Sequence, residues 1–312
     1  MFAPSDLHPS PRFLIAWEHD TTGLLQKSVP SLASEPTTGI PALDRIIASG
    51  WVIVATDYSF AEKGGPLPYL IGEGEARAVL DAIRAARQMS ELTLDAQAVV
   101  WGHSQGGHAA LWSGIIGPRY APEVKIAGVA AIAPAANVAN VIAMNQPADK
   151  RLGPYVALSY SRFYPDLTFE QALRPEAVAA SREIAKLCAF LPPSDPQRIN
   201  ALAETFDGGA LATGTNAVLA TRLAQNTPNY AIAAPVLIAQ GLADTVVPPH
   251  ATDAYVDERC TGGQRLEYWT FARLGHADIV QPDAPLDGPL VAWTRARFTS
   301  EPQPSGCSRR SF

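Results

Sequence analysis

Short aliphatic runs alternate with longer stretches of helical spacing along most of the chain, the pattern of a parallel sheet covered by helices on both faces. Strands are predicted at residues 13–17, 51–56, 98–101, 124–132, 235–240 and 266–271. Runs such as Val52-Ile53-Val54-Ala55 and Val236-Leu237-Ile238-Ala239 are apolar at every position. That suits strands buried on both faces better than half-exposed antiparallel ones. Helices are predicted between them at 42–49, 72–89, 106–117, 250–259 and 286–298.

Residues 135–230 break the alternation: they are rich in Ala and Pro, with helical patches such as 175–190 and no clear buried strand. A structureless loop of that length is improbable inside a compact domain, so the stretch is expected to be an inserted helical cap. The expected organisation is thus a first core segment at 1–134, a cap or lid at 135–230, a second core segment at 231–299 and a tail at 300–312. The tail is rich in Pro, Ser and Arg and is expected to be loose unless Cys307 ties it down.

Composition narrows the function classes. The 312 residues are 47% apolar, enough for a large core, which makes disorder a poor reading. Lys and Arg total 24 against 30 Asp and Glu, so no basic face marks a nucleic-acid partner. No run of eighteen apolar residues is present to span a membrane, and the first twenty residues lack the basic start and apolar block of a signal peptide. Cys188, Cys260 and Cys307 have no metal-ligand spacing, and neither a metal nor a cofactor is implied.

The strongest chemical signal is Gly102-His103-Ser104-Gln105-Gly106, which directly follows one predicted strand and opens a predicted helix. This is a nucleophile elbow in the strand-turn-helix context it requires. Side chains two residues before or after the serine would collide at so sharp a turn, hence Gly102 and Gly106. A serine hydroxyl needs a base, and in this arrangement the acid and then the histidine follow it in the chain. His276, just after the last predicted strand, is the candidate base. His8 and His19 precede the serine, His103 and His108 belong to the elbow, and His250 begins a helix. Asp244, after the buried strand at 235–240, is the candidate acid; Asp253, Asp257 and Asp278 are its rivals. The candidate oxyanion donors are the amide of Gln105 and that of Asp20, with Thr21 next, in the polar loop after the first strand.

With those residues in place the chain resembles the secreted lipase family of α/β-hydrolases, including the yeast-type lipase A enzymes and actinobacterial relatives. The resemblance rests on His19-Asp20-Thr21-Thr22-Gly23, on Gly50 to Tyr58, on Pro68-Tyr69-Leu70, on the elbow, and on Gly241-Leu242-Ala243-Asp244 with Val247-Pro248. It implies an α/β-hydrolase fold, a Ser104–Asp244–His276 triad, oxyanion donors at Asp20 and Gln105, a small ester or lipid substrate and export. Asp57 and Tyr58 are read as structural. Relatives usually read His-Gly-Thr-Thr-Gly in the first loop, where this chain has Asp20, and often carry a cysteine near the place of Ser28, which leaves Cys188 without its usual partner. They also have a signal sequence and strands ahead of the point where this chain begins.

The expected activity is carboxylic ester hydrolysis through an acyl-serine. A serine peptidase or an acyltransferase with the same triad is the alternative, since fold and triad do not choose the leaving group. A non-catalytic binding protein would have lost one of the three residues, and none is lost. Leu152, Tyr155, Tyr160, Phe163 and Phe190 suit an apolar acyl group, or else pack the cap on the core. Two compartments stay open: secretion with a Cys260–Cys307 disulfide, or the cytoplasm with three thiols. Without two leading strands the sheet is expected to end early on one side, its edge masked by the first twelve residues or by self-association.

Overall fold

A computed structural model describes residues 1–5, 11–58, 68–190 and 192–312. Strands β1 (Arg12–Glu18), β2 (Val52–Ala55), β3 (Leu94–His103), β4 (Lys125–Ile132), β5 (Val236–Gly241), β6 (Leu266–Phe271) and β7 (Cys307–Ser311) form one sheet in the order β2-β1-β3-β4-β5-β6-β7. Each neighbouring pair runs parallel. The middle stretches of these strands, such as Leu14 to Trp17 and Ala98 to Trp101, are apolar throughout because alternate residues enter opposite cores. Leu14, Ala16, Val52, Ala98 and Val100 join the cluster under one face, while Ile15, Trp17, Ile53, Val99 and Trp101 join the cluster under the other.

Helices α1 (Leu43–Ala48) and α11 (Asp287–Phe298) cover the second face. Helices α2 (Gly72–Arg87), α3 (Gln105–Tyr120) and α10 (Pro249–Thr261) cover the first. In α2 the residues Ala76, Val79, Leu80, Ile83 and Ala86 make a buried stripe at three- and four-residue spacing, with Glu73 and Glu75 in the first turn and Arg84 and Arg87 in the last.

Between β4 and β5 the chain leaves the sheet. It forms α4 (Val138–Met144), α5 (Gln146–Phe163), α6 (Phe169–Ala172), α7 (Val178–Ile184), α8 (Ser194–Ala203) and α9 (Ala217–Gln225). These helices keep an apolar cluster of their own around Tyr155, Tyr160, Ile184, Leu211 and Leu219, to which Tyr69 and Leu70 also belong. Among the described residues no helix is long and apolar enough to cross a membrane.

Of the two courses left open for the end of the chain, the structure has the one in which Cys307 ties it down: Cys307–Ser311 extends the sheet beside β6, a disulfide joins Cys307 to Cys260 at the end of α10, and the Phe312 ring stacks 4.8 Å from Phe271. Its five residues are polar and mostly exposed, so hydropathy gives no sign of backbone pairing at an edge. At the opposite edge, Phe2 exchanges two backbone hydrogen bonds with Ile53 of β2, at 2.8 and 2.9 Å. A short antiparallel bridge therefore lies where the sheet was expected to need cover.

Candidate active site

Ser104 occupies the single residue between β3 and α3, with φ 56° and ψ −114°, a strained conformation. Its amide donates to the Ile132 carbonyl at 2.9 Å, and its own carbonyl accepts from the Ala135 amide at 3.0 Å, so β4 and the loop after it clamp the turn. A Cβ at Gly102 would lie 1.9 Å from the Gly106 carbonyl oxygen, and one at Gly106 would lie 1.9 Å from that of Glu18. The serine is thus set at the N-terminus of a buried helix, where unpaired amides and the helix dipole favour negative charge.

The loops after β5 and β6 deliver the other two residues. His276 Nδ1 lies 2.7 Å from Asp244 Oδ2, and since a carboxylate only accepts, Nδ1 carries the proton and Nε2 is left basic. Asp244 is itself held: Oδ1 accepts the amides of Val246 and Val247 at 2.8 and 2.9 Å, and Oδ2 accepts Gln240 Nε2 at 3.0 Å. Gln240 Oε1 accepts in turn from Thr252 Oγ1 at 2.8 Å. Its rivals face elsewhere. Asp253 and Asp257, on α10, pair with Arg309, and Asp278 accepts the Gly275 amide.

Ser104, His276 and Asp20 line one cavity of about 320 Å³, walled also by Leu152 and Tyr155 of α5 and by Phe190 in the bend before α8. A narrower apolar slot of about 30 Å³ opens beside Ser104, between Tyr69, Leu70, Val138, Ile142 and Val156, and excludes His276. Leu152 and Val246 border both spaces. Of the aromatic residues singled out in the sequence, Tyr160 is buried with its hydroxyl on the Leu70 carbonyl, and Phe163 is exposed; neither faces the serine.

Charge around the site is muted by burial. Burial pushes the Asp20 carboxyl up to about 6, against the pull of the His276 charge and of its own amide. Burial, and next the His276 charge, hold His103 well below the usual imidazole range, so that Nε2–H of the neutral ring donates to the His276 carbonyl at 2.8 Å. The 3.9 Å approach of His103 Nδ1 to Asp20 is therefore not an ion pair at neutral pH. His19, brought down to about 4 by burial, puts its Nδ1 2.6 Å from the Asp20 carbonyl oxygen. His108 is fully buried under α3, His250 lies on α10, and His8 lies outside the described residues.

Sequence reading passed over one residue beneath the site. Glu75 is fully buried and accepts from the Leu70 amide at 2.9 Å and from Gln105 Nε2 at 2.8 Å on Oε1, with His108 Nδ1 2.7 Å from Oε2. The signal was available: Glu75 falls four residues before Val79, on the apolar stripe of α2.

The parallel sheet covered by helices on both faces, with a sharp strand-turn-helix at Ser104, is the α/β-hydrolase fold. A family model described as Secretory lipase matches residues 34–184, a little under half of the chain. Lipase 1 of Candida albicans is 26% identical over 85% of this chain and 59% of its own length, and a secreted triacylglycerol lipase of Malassezia furfur is 25% identical over 87% and 54%. The chain therefore spans a little over half the length of these relatives. In fold it is similar to Candida antarctica lipase A, with a TM-score of 0.72 at 20% identity over 99% of this chain and 74% of that one. The esterase LipA of Xanthomonas oryzae, described as rice cell wall degrading, gives 0.64 at 18% identity over 93% and 80%.

Proposed function

We propose that the chain hydrolyses carboxylic esters through an acyl-serine intermediate. The observation that carries the reading is His276, bonded to the buried Asp244, lining the same cavity as a serine strained at a helix N-terminus. His276 Nε2 takes the proton of Ser104 Oγ as the oxygen attacks the ester carbonyl, and Asp244 holds the imidazolium that forms. The amides of Gln105 and Asp20 receive the oxyanion. His276 then protonates the leaving alcohol, and a water activated by the same ring releases the acid.

The two spaces beside Ser104 suggest how an ester sits. The alcohol must leave on the His276 side, so it belongs in the larger cavity, and the acyl chain belongs in the apolar slot. The helices between β4 and β5 act as the cap that walls both. The slot is narrow, which favours short or slender acyl groups. That one relative is named a secreted triacylglycerol lipase, together with the Cys260–Cys307 disulfide, supports work in an oxidising compartment.

The test is hydrolysis of p-nitrophenyl esters of increasing acyl length, beside peptide and amide substrates. Ser104→Ala is expected to stay folded and lose at least about three orders of magnitude in turnover, with His276→Ala comparable and Asp244→Asn damaged. A Ser104→Ala protein that turns over esters at the original rate would overturn the assignment. Cleavage of peptides in preference to esters would favour the peptidase alternative.

A further inference from the structure

Behind the serine lies a closed circuit of buried hydrogen bonds that hydrolysis as described above does not use. It starts in the loop after β1, where Thr21 Oγ1 donates to the Tyr69 hydroxyl at 3.0 Å. The next residue, Leu70, has a left-handed backbone with φ 54°, costly for a leucine, and the peptide is held from both sides. Its amide donates to Glu75 Oε1 at 2.9 Å, and its carbonyl accepts from the Tyr160 hydroxyl of α5 at 3.0 Å. The same Glu75 oxygen accepts Gln105 Nε2 at 2.8 Å. Gln105 is the first residue of α3, directly after the serine. The circuit therefore runs from the loop of one candidate oxyanion donor, Asp20, to the residue that supplies the other.

A third bond anchors the carboxylate. His108 Nε2 faces the Asn226 carbonyl oxygen at 2.7 Å, which only accepts, so Nε2 bears a proton; Nδ1 shares another with Glu75 Oε2 across 2.7 Å. Glu75 and His108 are both fully shielded from solvent, so no water replaces a lost partner. A carboxylate is the one side chain of this size that accepts at both oxygens at once. Its charge also sits by the first turn of α3, where the helix dipole favours it.

We propose that Glu75 is the positioning residue of the oxyanion site, setting the Gln105 backbone amide by holding that residue's side chain and the Asp20–Thr21 loop through Leu70 and Tyr69. It touches no substrate. It fixes the distance between two donors on separate loops, which decides how well they meet charge that exists only in the transition state. Because Tyr160 of α5 holds the other side of Leu70, the same circuit ties this geometry to the seating of the inserted helices. The inference rests on Ser104 being the nucleophile.

The decisive variant is Glu75→Gln, whose amide keeps one acceptor and turns a donor towards Gln105 or His108. Active sites are counted with a serine-directed phosphonate, so that misfolded protein does not enter the rate. Per site, kcat on a short p-nitrophenyl ester is expected to fall about 10- to 100-fold with KM within about threefold. Affinity for a trifluoromethyl ketone, which adds to the serine and forms an oxyanion, should fall by the same factor. A merely structural role would lower the count of sites and leave both per-site values unchanged, and that result overturns the proposal. So does a loss of kcat with ketone affinity intact. Tyr69→Phe removes only the hydroxyl that Thr21 meets, so it serves even if Glu75→Gln does not fold; a drop of about three- to tenfold in both values is expected, and original values overturn the proposal. Ser104→Ala measured alongside separates the two readings. Full turnover there sinks ester hydrolysis by this serine and the inference with it, whereas an inactive Ser104→Ala beside an unimpaired Glu75→Gln overturns the inference alone.

Discussion

Gly106 shows how little room single residues have around the nucleophile. A methyl group there would meet the Glu18 carbonyl oxygen at 1.9 Å, and that carbonyl belongs to β1 backbone with no freedom to withdraw. Gly106→Ala is therefore expected to cost about 1–3 kcal/mol of stability and most of the ester turnover, read by thermal unfolding beside a hydrolysis assay. Unchanged values in both would mean that the turn is looser than its geometry. The same scale explains what the sequence disclosed. Ser104, Asp244 and His276 were legible because their chemistry demands fixed residue types, in a fixed order, after strands that are themselves apolar. Glu75 was not: a glutamate in the first turn of a helix is usually a solvated charge, and only its place on the buried stripe marks it out. Nor could the sequence show that Asp20, in a loop of polar residues, sits shielded enough for burial to raise its carboxyl.

Among the elements, α5 carries a liability with a measurable consequence. Asp149, in its first turn, is buried; both carboxylate oxygens take a long hydrogen bond from the Leu211 amide, at 3.4 and 3.3 Å. Burial pushes its carboxyl up to about 7, against the pull of the Leu211 and Ala210 amides and of Arg174. The folded chain thus keeps this proton to about pH 7, while an unfolded aspartate releases it near pH 4. Between those values the native state binds more protons, so stability falls as pH rises and levels off above about 7. The expected result is a lower melting temperature at pH 8 than at pH 5, with the difference reduced in Asp149→Asn, which keeps an acceptor for Leu211 without the charge. An equal slope in the variant would place the pH dependence elsewhere. Because Ala148 and Leu152 of the same helix line the spaces beside Ser104, the variant should also be assayed for turnover. At this scale the central strands and α2 were readable from periodicity. Strand β7 was not, since an edge strand of Cys, Ser and Arg is held by backbone bonds and one disulfide rather than by an apolar face.

Across the whole molecule, the Cys260–Cys307 bond closes a separation of 47 residues and fastens the outermost strand to a helix of the core. Replacing both cysteines by serine is expected to remove about 2–4 kcal/mol of stability while leaving low-temperature turnover near its original value, because β7 lies far along the sheet from Ser104. A melting temperature unaffected by the double replacement would show that backbone pairing with β6 suffices. The strand order has a consequence for how the protein is made. After β2 has docked on one side of β1, each later strand adds on the other side, so the order of synthesis from β3 onward is the order across the sheet. A chain emerging from the ribosome would present a single open rim that moves outward as each strand lands. The loops bearing Asp244 and His276 emerge before β7, so the proposed triad can be complete while the rim of β6 is still bare. Cys307 to Ser311 close that rim when they emerge, and the interval before they arrive is when the nascent chain most needs shielding from its neighbours.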